Sequence, residues 1–397
     1  MTRLIYLDAA ASTPIDPLVL DTMLPVLGEV YGNPGSSHWA GQRARNLVEG
    51  ARESVGALAH QGPSSVVFLS GATEANALAL HGMLASAEEG RRSVVSCVTE
   101  HPAVLEPLRA LADSGVPVHL VSVDSHGRPD LDQLASLVDD TTFLVTIMAA
   151  NNETGVMVDL SEVAAIAHSA GAFFHTDASQ LLTWGPLPAN HEADLVTVSG
   201  HKMHGPKGVG ALIVGREARH LLQPIQRGGG QERGLRGGTT NVAGVVGLGA
   251  AADRAMAIGA TAADTTAALR DQLERGLLDA LPAAVLNGAR DVRLPGVLNI
   301  AVGDVGYGVE GDAVLARLPR VAASTGSACS SGVPGPSQVL LAMGMPVERA
   351  QSSLRFSLSR LSVRADVEDA LPMVIEAVRA VREATSASPD EGLVFSQ

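Results

Sequence analysis

Lysine is almost missing from this sequence of 397 residues. All but two of its 28 basic residues are arginine, and the two lysines are Lys202 and Lys207. An arginine side chain stays protonated, so it cannot form a Schiff base with a carbonyl compound. Any amine–carbonyl chemistry is therefore confined to Lys202, Lys207 or the amino terminus.

Cysteine is equally scarce, because Cys97 and Cys329 are the only two. Two cysteines so far apart do not form a disulfide framework, which favours a reducing compartment. Residues 1–8 lack the pattern of a secretory signal. Charge, glycine or proline interrupts every apolar run before it reaches membrane-spanning length. We therefore expect a cytoplasmic protein with no membrane contact.

Positive charge is in deficit, and the formal net charge is −14. Such a chain is not expected to bind nucleic acid or an anionic membrane surface directly. Hydrophobic residues, in contrast, make up 46% of the chain, and there are 42 glycines. These values are typical of a compact α/β protein, and the length predicts a large and a smaller domain.

Seven apolar runs are predicted to be strands, and they cover 66–70, 94–98, 117–123, 142–148, 172–176, 194–198 and 209–214. Helical spacing of apolar residues lies between several of them, as over 40–60 and 161–170. This alternation predicts a mostly parallel seven-stranded sheet with helices on both faces.

The sheet and its helices define a predicted large domain at residues 16–260. An amphipathic helix over 261–281 is expected to lead into a second domain. Residues 1–15 and 261–384 are predicted to form this smaller α+β domain, with strands at 297–301 and 353–357. Residues 385–397 are predicted to be a flexible tail.

The sequence Ser199-Gly200-His201-Lys202 directly follows one predicted strand. Ligands of an open α/β sheet bind beyond the carboxyl ends of its strands, so Lys202 is a candidate for covalent catalysis. A lysine in a loop is more often a solvated charge, and the residues alone leave both interpretations open.

Other predicted strands also end in polar groups. Asp177 could keep a ring nitrogen of pyridoxal phosphate protonated, with Gln180 bonded to the phenolic oxygen of that cofactor. The alternative for Asp177 is an ordinary loop cap. His101 could stack on a planar cofactor, although a lone histidine is usually structural. Ala72 and Thr73 begin a predicted helix whose free N–H groups suit an anion, or they form a common strand-to-helix turn.

Two residues near the carboxyl terminus complete the set of candidates. Cys329 lies among small residues, so its thiol is expected to be accessible and a candidate nucleophile. Cys97, inside an apolar strand, is expected to be buried and inert. Arg355 alternates with apolar residues in a predicted strand, and its guanidinium suits a substrate carboxylate.

Together these features resemble the cysteine desulfurases, pyridoxal-phosphate enzymes of the aspartate-aminotransferase fold in the class V aminotransferase group. The resemblance runs from Tyr6 to about residue 384. Its motifs are Thr99-Glu100-His101, Asn151-Asn152-Glu153, Asp177-Ala178-Ser179-Gln180, Ser199-Gly200-His201-Lys202, Gly228-Gly229-Gly230-Gln231-Glu232-Arg233-Gly234, Gly326-Ser327-Ala328-Cys329 and Arg355-Phe356-Ser357. The long cysteine segment resembles the group related to the iron–sulfur and nitrogenase enzymes (NifS/IscS-like).

The resemblance implies a role for each candidate residue. Lys202 would be the Schiff-base lysine, and Cys329 would accept the sulfur. Cofactor binding would involve Asp177, Gln180, His101, Ala72, Thr73, Asn152, Ser199 and His201. Thr239 would reach the phosphate of the other subunit, which implies a homodimer. Asn33, Asn152 and Arg355 would bind the cysteine carboxylate. No metal site is implied.

The implied reaction converts L-cysteine to L-alanine and leaves a persulfide on Cys329 for transfer to acceptor proteins. Acceptors of such enzymes serve iron–sulfur assembly, tRNA thiolation or DNA phosphorothioation, and the sequence does not choose among them. A selenocysteine lyase, an ordinary class V aminotransferase and a non-enzymatic scaffold are the alternatives. The aminotransferase has no use for an accessible Cys329, and the long cysteine segment disfavours the lyase.

Overall fold

A seven-stranded sheet forms the centre of the computed structural model, which describes residues 3–303, 308–326 and 335–386. Its strands are β2 (Val66–Leu69), β3 (Ser93–Cys97), β4 (Val118–Val121), β5 (Thr142–Thr146), β6 (Phe173–Asp177), β7 (Leu195–Ser199) and β8 (Gly210–Val214). Their order is β2-β8-β7-β6-β5-β3-β4. Only β8 runs antiparallel to its neighbours in this sheet.

The residue pattern explains why this sheet is internal. Strands β2, β3, β5, β7 and β8 are buried at every position. Continuous apolar runs are typical of strands that helices cover on both faces. The prediction of seven strands in a mostly parallel sheet is therefore confirmed.

Helices cover both faces of the sheet. They are α1 (Pro17–Glu29), α2 (Trp39–Ala57), α3 (Ala72–Ala77), α4 (Pro102–Asp113), α5 (Leu131–Leu137), α6 (Leu160–Ser169) and α7 (Arg216–Leu221). Helix α3 continues into a π-helical turn at Leu78–Gly82. One hydrophobic core lies on each face, and Val95 and Val94, adjacent on β3, belong to different cores. This is the alternation expected of a strand between two layers.

Helix α8 (Val242–Ala280) is a single helix of 39 residues. The predicted helix at 261–281 was therefore too short at its start. Glycines caused the error, because a glycine inside a helix normally weakens it. Here they allow close packing: a Cβ at Gly249 would lie 2.6 Å from Ala51 Cα, and one at Gly259 would lie 2.5 Å from the Trp184 carbonyl carbon.

The same helix qualifies by length and composition as a membrane span, with a window of mean hydropathy 1.3. The sequence analysis predicted that no apolar run reaches membrane-spanning length, and it did not anticipate this helix. Of that window, 56% is buried inside the protein. A core helix of a soluble protein satisfies the same criterion, so the finding is weak support for a membrane span.

The second half of the chain builds another core around the carboxyl-terminal half of α8. It contains β9 (Val285–Leu286), β10 (Val297–Ala301), β11 (Val321–Ala322) and β12 (Ser353–Ser357), with α9 (Gly311–Leu315), α10 (Gln338–Ala342), α11 (Val347–Gln351) and α12 (Arg364–Ser386). The amino-terminal strand β1 (Ile5–Tyr6) pairs with β11. Ile5 and Leu7 join this core. The division at residue 260 stays a prediction, and most of the predicted tail lies outside the described residues.

Candidate active site

The carboxyl ends of β2, β3, β5, β6 and β7 meet at one edge of the sheet and surround a cavity of about 690 Å³. Nine of the predicted site residues line this cavity: Ala72, Thr73, His101, Asn152, Asp177, Gln180, Ser199, His201 and Lys202. Parallel strands bring their ends together, which is why residues far apart in sequence converge here.

Lys202 ends a short 3-10 turn, Gly200–Lys202, directly after β7. Its Nζ donates hydrogen bonds to the carbonyl oxygens of Ala10 and Ala11, the latter at 2.9 Å. The amino-terminal segment also contacts the turn that contains Lys202, since Thr13 N–H donates to the His201 carbonyl at 2.9 Å. Sequence analysis missed this segment, because Ala10 and Ala11 contribute only backbone oxygens.

Lys207 borders the same cavity, but it is an exposed residue. Position at the cavity alone therefore does not decide which of the two lysines is the candidate for covalent catalysis. Lys202 is half-buried and has carbonyl partners within the site, which orders its amine.

Asp177 is buried at the end of β6, where two donors hold its carboxylate. Asn76 Nδ2 donates to Oδ2 at 2.7 Å, and the Ser179 N–H donates to Oδ1 at 3.0 Å. These bonds orient the carboxylate and offset part of its desolvation. Asn76 is fully buried, and its role was missed. The only signal was one polar residue on the buried face of α3.

His175 lies two residues before Asp177 and is completely buried. Its ring nitrogens pair with the hydroxyls of Thr146 at 2.8 Å and Thr197 at 3.0 Å. Burial lowers the pKa of His175 to about 4, although Asp177 acts in the opposite direction. His175 is therefore neutral at neutral pH and links β5, β6 and β7 beneath the site.

His101 caps the start of α4, and its Nδ1 accepts a hydrogen bond from Ala103 N–H at 3.0 Å. Burial lowers the pKa of this imidazole, and the charge of Lys202 adds to that effect. Because Nδ1 is an acceptor, Nε2 carries the proton of the neutral ring.

The neighbouring Glu100 is buried and accepts a bond from Met148 N–H at 2.6 Å. Burial raises the pKa of Glu100 well above its ordinary value, and nearby Asp177 adds to the effect. A buried acid with a raised pKa therefore precedes His101 in the sequence.

The turn between β2 and α3 leaves an open helix start in the cavity. Gly71 precedes α3, and no side chain caps the helix. The first N–H groups of a helix have no partner within it, so they suit an anion. His201 lines the same cavity, and burial together with Lys202 and Lys207 lowers its pKa to about 4. Glu74 in the first turn is neutralised by Arg236 at 3.0 Å.

These residues fit pyridoxal phosphate by the chemistry of their donors. One cavity holds an amine for its aldehyde, a buried carboxylate for its ring nitrogen and an uncapped helix start for its phosphate. Cofactor-binding folds supply this combination of position and charge.

Of the predicted site residues that the structure describes, three lie outside the cavity lining. Arg355 is buried on β12, where Nη2 donates to Asp8 Oδ1 at 2.9 Å and Nη1 donates to the Asn152 carbonyl at 3.1 Å. Asn33 is exposed and accepts a bond from Gly35 N–H at 2.9 Å. Thr239 is exposed in the segment that follows the Arg236–Glu74 pair.

The two cysteines differ in what can be said of them. Cys97 is 1% exposed, and burial raises the pKa of its thiol to about 11. Its thiol shares a hydrogen bond with the Thr99 hydroxyl at 3.2 Å. The predicted burial of Cys97 is confirmed, and its inertness stays a prediction. Cys329 and its neighbours 327–334 lie outside the described residues.

Comparison with known proteins shows the family of this chain. Residues 5–370 match the family model described as aminotransferase class-V. A cysteine desulfurase IscS of Anaeromyxobacter sp. (strain Fw109-5) is 43% identical over 383 residues, which cover 96% of this chain and 93% of that protein.

Solved structures show the same relationship. A NifS-like protein is 32% identical with a TM-score of 0.86, covering 97% of this chain and 100% of its own. SspA in complex with cysteine is 32% identical with a TM-score of 0.79, covering 90% and 100%. The protein belongs to the class V aminotransferase family.

Proposed function

We propose that this protein is a pyridoxal-phosphate-dependent cysteine desulfurase, which converts L-cysteine to L-alanine and transfers the sulfur through Cys329. The observation that supports this most is the shared cavity of Lys202 and Asp177 at the carboxyl edge of the sheet. The similar IscS protein is named a cysteine desulfurase, and the similar SspA structure contains cysteine.

The bound cofactor would supply an electron sink for the bonds around the substrate Cα. Lys202 would hold its aldehyde carbon and later accept the proton from Cα. Asp177, oriented by Asn76, would keep the ring nitrogen protonated. Gln180 would donate to the phenolic oxygen, and Ala72, Thr73, Ser199 and His201 would bind the phosphate.

His101 would cover the ring and move protons. Its Nε2 carries the proton of the neutral ring and is not engaged in the bond that fixes Nδ1, so it can donate to a bound group. Its lowered pKa keeps the ring neutral at neutral pH, so Nε2–H stays the donor of this ring.

Cys329 would accept the sulfur atom of the substrate in a step that conserves atoms and electrons. Its thiolate attacks the substrate sulfur, the new S–S bond forms, and the C–S bond breaks with its electron pair going to carbon. Protons taken up at that carbon complete alanine. One cysteine and one enzyme thiol thus give one alanine and one persulfide, with no added oxidant or reductant.

Arg355, with Asn33 and Asn152, would bind the substrate carboxylate. The Nε of Arg355 is buried without a partner among the described residues, and Nη1 already touches the Asn152 backbone. A carboxylate could replace Asp8 as the partner of this guanidinium, which suits bidentate binding.

The protein would act as a cytoplasmic homodimer in which Thr239 reaches the phosphate of the partner. Large apolar residues are exposed on α1, in the loop after it and at the start of α2, including Leu27 at 66%, Tyr31 at 79% and Trp39 at 67%. Such a patch favours burial against another protein surface. Sulfur would pass to an acceptor protein of iron–sulfur assembly, tRNA thiolation or DNA phosphorothioation.

Alanine formation from L-cysteine tests the function, with Cys329→Ser and Cys97→Ser compared side by side. We expect Cys329→Ser to lose turnover almost entirely, because a hydroxyl is a far poorer nucleophile toward sulfur. Cys97→Ser should keep most of it, since Cys97 is buried and does not line the cavity. Near-normal turnover of Cys329→Ser would contradict the proposal and favour an ordinary aminotransferase.

A further inference from the structure

Glu153 follows Asn152 in the loop after β5 and is almost completely buried, at 8% exposed. Its backbone is fixed on both sides. The Glu153 N–H donates to Asn151 Oδ1 at 2.9 Å, and the Glu153 carbonyl accepts from Asn299 Nδ2 at 3.1 Å. The backbone that carries the Glu153 carboxyl group is therefore fixed, and burial restricts the movement of the side chain.

This carboxyl group contacts the residues on both sides of the segment that contains Cys329. On the carboxyl-terminal side, the Ser337 hydroxyl donates to Glu153 Oε2. The same hydroxyl accepts a bond from Leu340 N–H at 3.2 Å, so it also caps α10. Ser337 is 2% exposed, and both capacities of its hydroxyl are used.

On the amino-terminal side, Gly326 packs directly against the same oxygen. A Cβ at Gly326 would lie 2.7 Å from Glu153 Oε2, and the φ angle of Gly326 is +89°. Only glycine adopts this position without strain. The preceding Ser324 pairs with Arg355 on β12, which fixes that side of the segment to the second core.

The adjacent residues Asn152 and Glu153 thus connect the proposed substrate-binding residue to the segment that contains Cys329. The Asn152 carbonyl accepts from Arg355, the proposed ligand of the substrate carboxylate. The Glu153 side chain contacts Gly326 and Ser337, which bracket residues 327–334. Burial raises the pKa of Glu153, while Ser337 and the charge of Arg355 act against this rise.

We propose that Glu153 is a positioning residue for Cys329: it holds both ends of the cysteine segment at a fixed place relative to Asn152 and Arg355. The inference rests on the proposed function, because positioning matters only if Cys329 accepts sulfur. Small displacements of reacting groups reduce rates by large factors, so loss of this anchor should slow the sulfur step.

The test compares Glu153→Ala, Glu153→Gln and Ser337→Ala in the full-length protein loaded with pyridoxal phosphate. Ser352→Ala is the matched control, because this buried hydroxyl of the same core bonds to the Arg349 carbonyl instead. Three quantities are measured: the visible absorption change on adding L-cysteine, alanine formation, and alkylation of Cys329 by iodoacetamide without cysteine.

We expect Glu153→Ala and Ser337→Ala each to reduce kcat for alanine by about tenfold or more. The cysteine concentration for half of the absorption change should stay within about threefold of wild type, because Lys202 and Arg355 are intact. The double variant Glu153→Ala/Ser337→Ala should lose no more than the worse of the two single variants, since both substitutions remove the same contact. Glu153→Gln, which can still bond Ser337, should recover most activity, and Cys329 alkylation should change only in the Ala variants.

Two results would overturn the inference. One is that Glu153→Ala and Ser337→Ala both form alanine, and both undergo Cys329 alkylation, at the rates of the wild type. The other is equal loss of the absorption change and of alanine formation, which would indicate general damage to the fold. Failure of the proposed function is separate: the wild type itself would form no alanine, while alkylation would still report on the position of Cys329.

Discussion

The amine of Lys202 donates hydrogen bonds to the backbone carbonyls of Ala10 and Ala11. These acceptors belong to the backbone of the amino-terminal segment, so they orient the amine within the cavity. At the scale of single residues, this separates Lys202 from the exposed Lys207.

Borohydride reduction of the protein loaded with pyridoxal phosphate should therefore attach a pyridoxyl group to Lys202. Peptide mass mapping locates the adduct, and Lys202→Ala should abolish it while Lys207→Ala retains it. An adduct on Lys207, or none on either lysine, would contradict the assignment.

His175 should make stability depend on pH. The unfolded state accepts a proton near pH 6.5, whereas the native state resists it until about pH 4. The unfolded state thus binds more protons in this window, so stability falls as pH falls below 6.5. One histidine contributes at most about 1.4 kcal/mol per pH unit. Urea unfolding of the protein without cofactor measures this slope.

The variant His175→Gln should have a shallower slope between pH 6.5 and 5 than the wild type. Its amide can still bond the Thr146 or Thr197 hydroxyl, which limits the loss of stability at pH 8. Equal slopes in the two proteins would show that His175 is not the linked group.

Some site residues were predictable from sequence and others were not, for a physical reason. Asp177, His101 and Lys202 stand directly after apolar strands, so the rule about strand ends brings them together. Asn76 acts from a helix face, and Ala10 and Ala11 act through carbonyl oxygens from a distant segment. Such contacts depend on tertiary packing, which side-chain type does not reveal.

At the scale of elements, the segment around 226–240 is fixed by a buried ion pair. Arg52 on α2 binds Glu232 through two hydrogen bonds, at 2.7 and 3.0 Å, and both side chains are nearly inaccessible. Glu232 also accepts from Phe68 N–H on β2 at 2.9 Å. Glu232 has a φ of +48°, a conformation that these contacts maintain.

Removal of Arg52 should cost more than removal of the Glu232 charge. Arg52→Met leaves a buried carboxylate with few donors, and such a loss typically costs about 3–5 kcal/mol. Glu232→Gln leaves Arg52 with Glu49 and the Val66 carbonyl, so the loss should be smaller. The double variant should lose less than the sum of the two.

Urea unfolding of the four proteins measures this cycle. Arg43→Met is the control, because its partner Glu29 is exposed and such surface pairs contribute less than about 1 kcal/mol. Additive losses, or a loss for Arg52→Met no larger than for Arg43→Met, would contradict a structural role of the pair.

Helix α8 shows what sequence can and cannot predict at this scale. Its carboxyl-terminal half was predicted because apolar residues there repeat at helical spacing. The first half was missed because Gly244, Gly247 and Gly249 suggest a break, whereas they contact α1, α2 and the helix's own cap. The strands of the large sheet were predictable because each is a short, continuous apolar run.

At the scale of the whole molecule, the site is proposed to be shared between two copies. Thr239 is exposed and outside the cavity of its own chain. Its segment is nonetheless fixed by the Arg236–Glu74 and Arg52–Glu232 pairs, which place it on the surface in a defined position. An exposed segment that is held in a defined position is better suited to contact a partner subunit than a loop without such contacts.

Mixed dimers test this arrangement. Lys202→Ala chains, unfolded and refolded with Thr239→Ala chains, should yield heterodimers in which one site has an intact Lys202 from one chain and an intact Thr239 from the other. At limiting pyridoxal phosphate, both parent proteins should be weak or inactive. An equal mixture should recover roughly a quarter of wild-type alanine formation, because half of the dimers are mixed and each has one intact site. Lys202→Ala mixed with the double variant Lys202→Ala/Thr239→Ala offers no intact site and is the control. If Thr239 serves its own chain, every site of the mixed dimer has one defect, and activity should remain at the level of the parents.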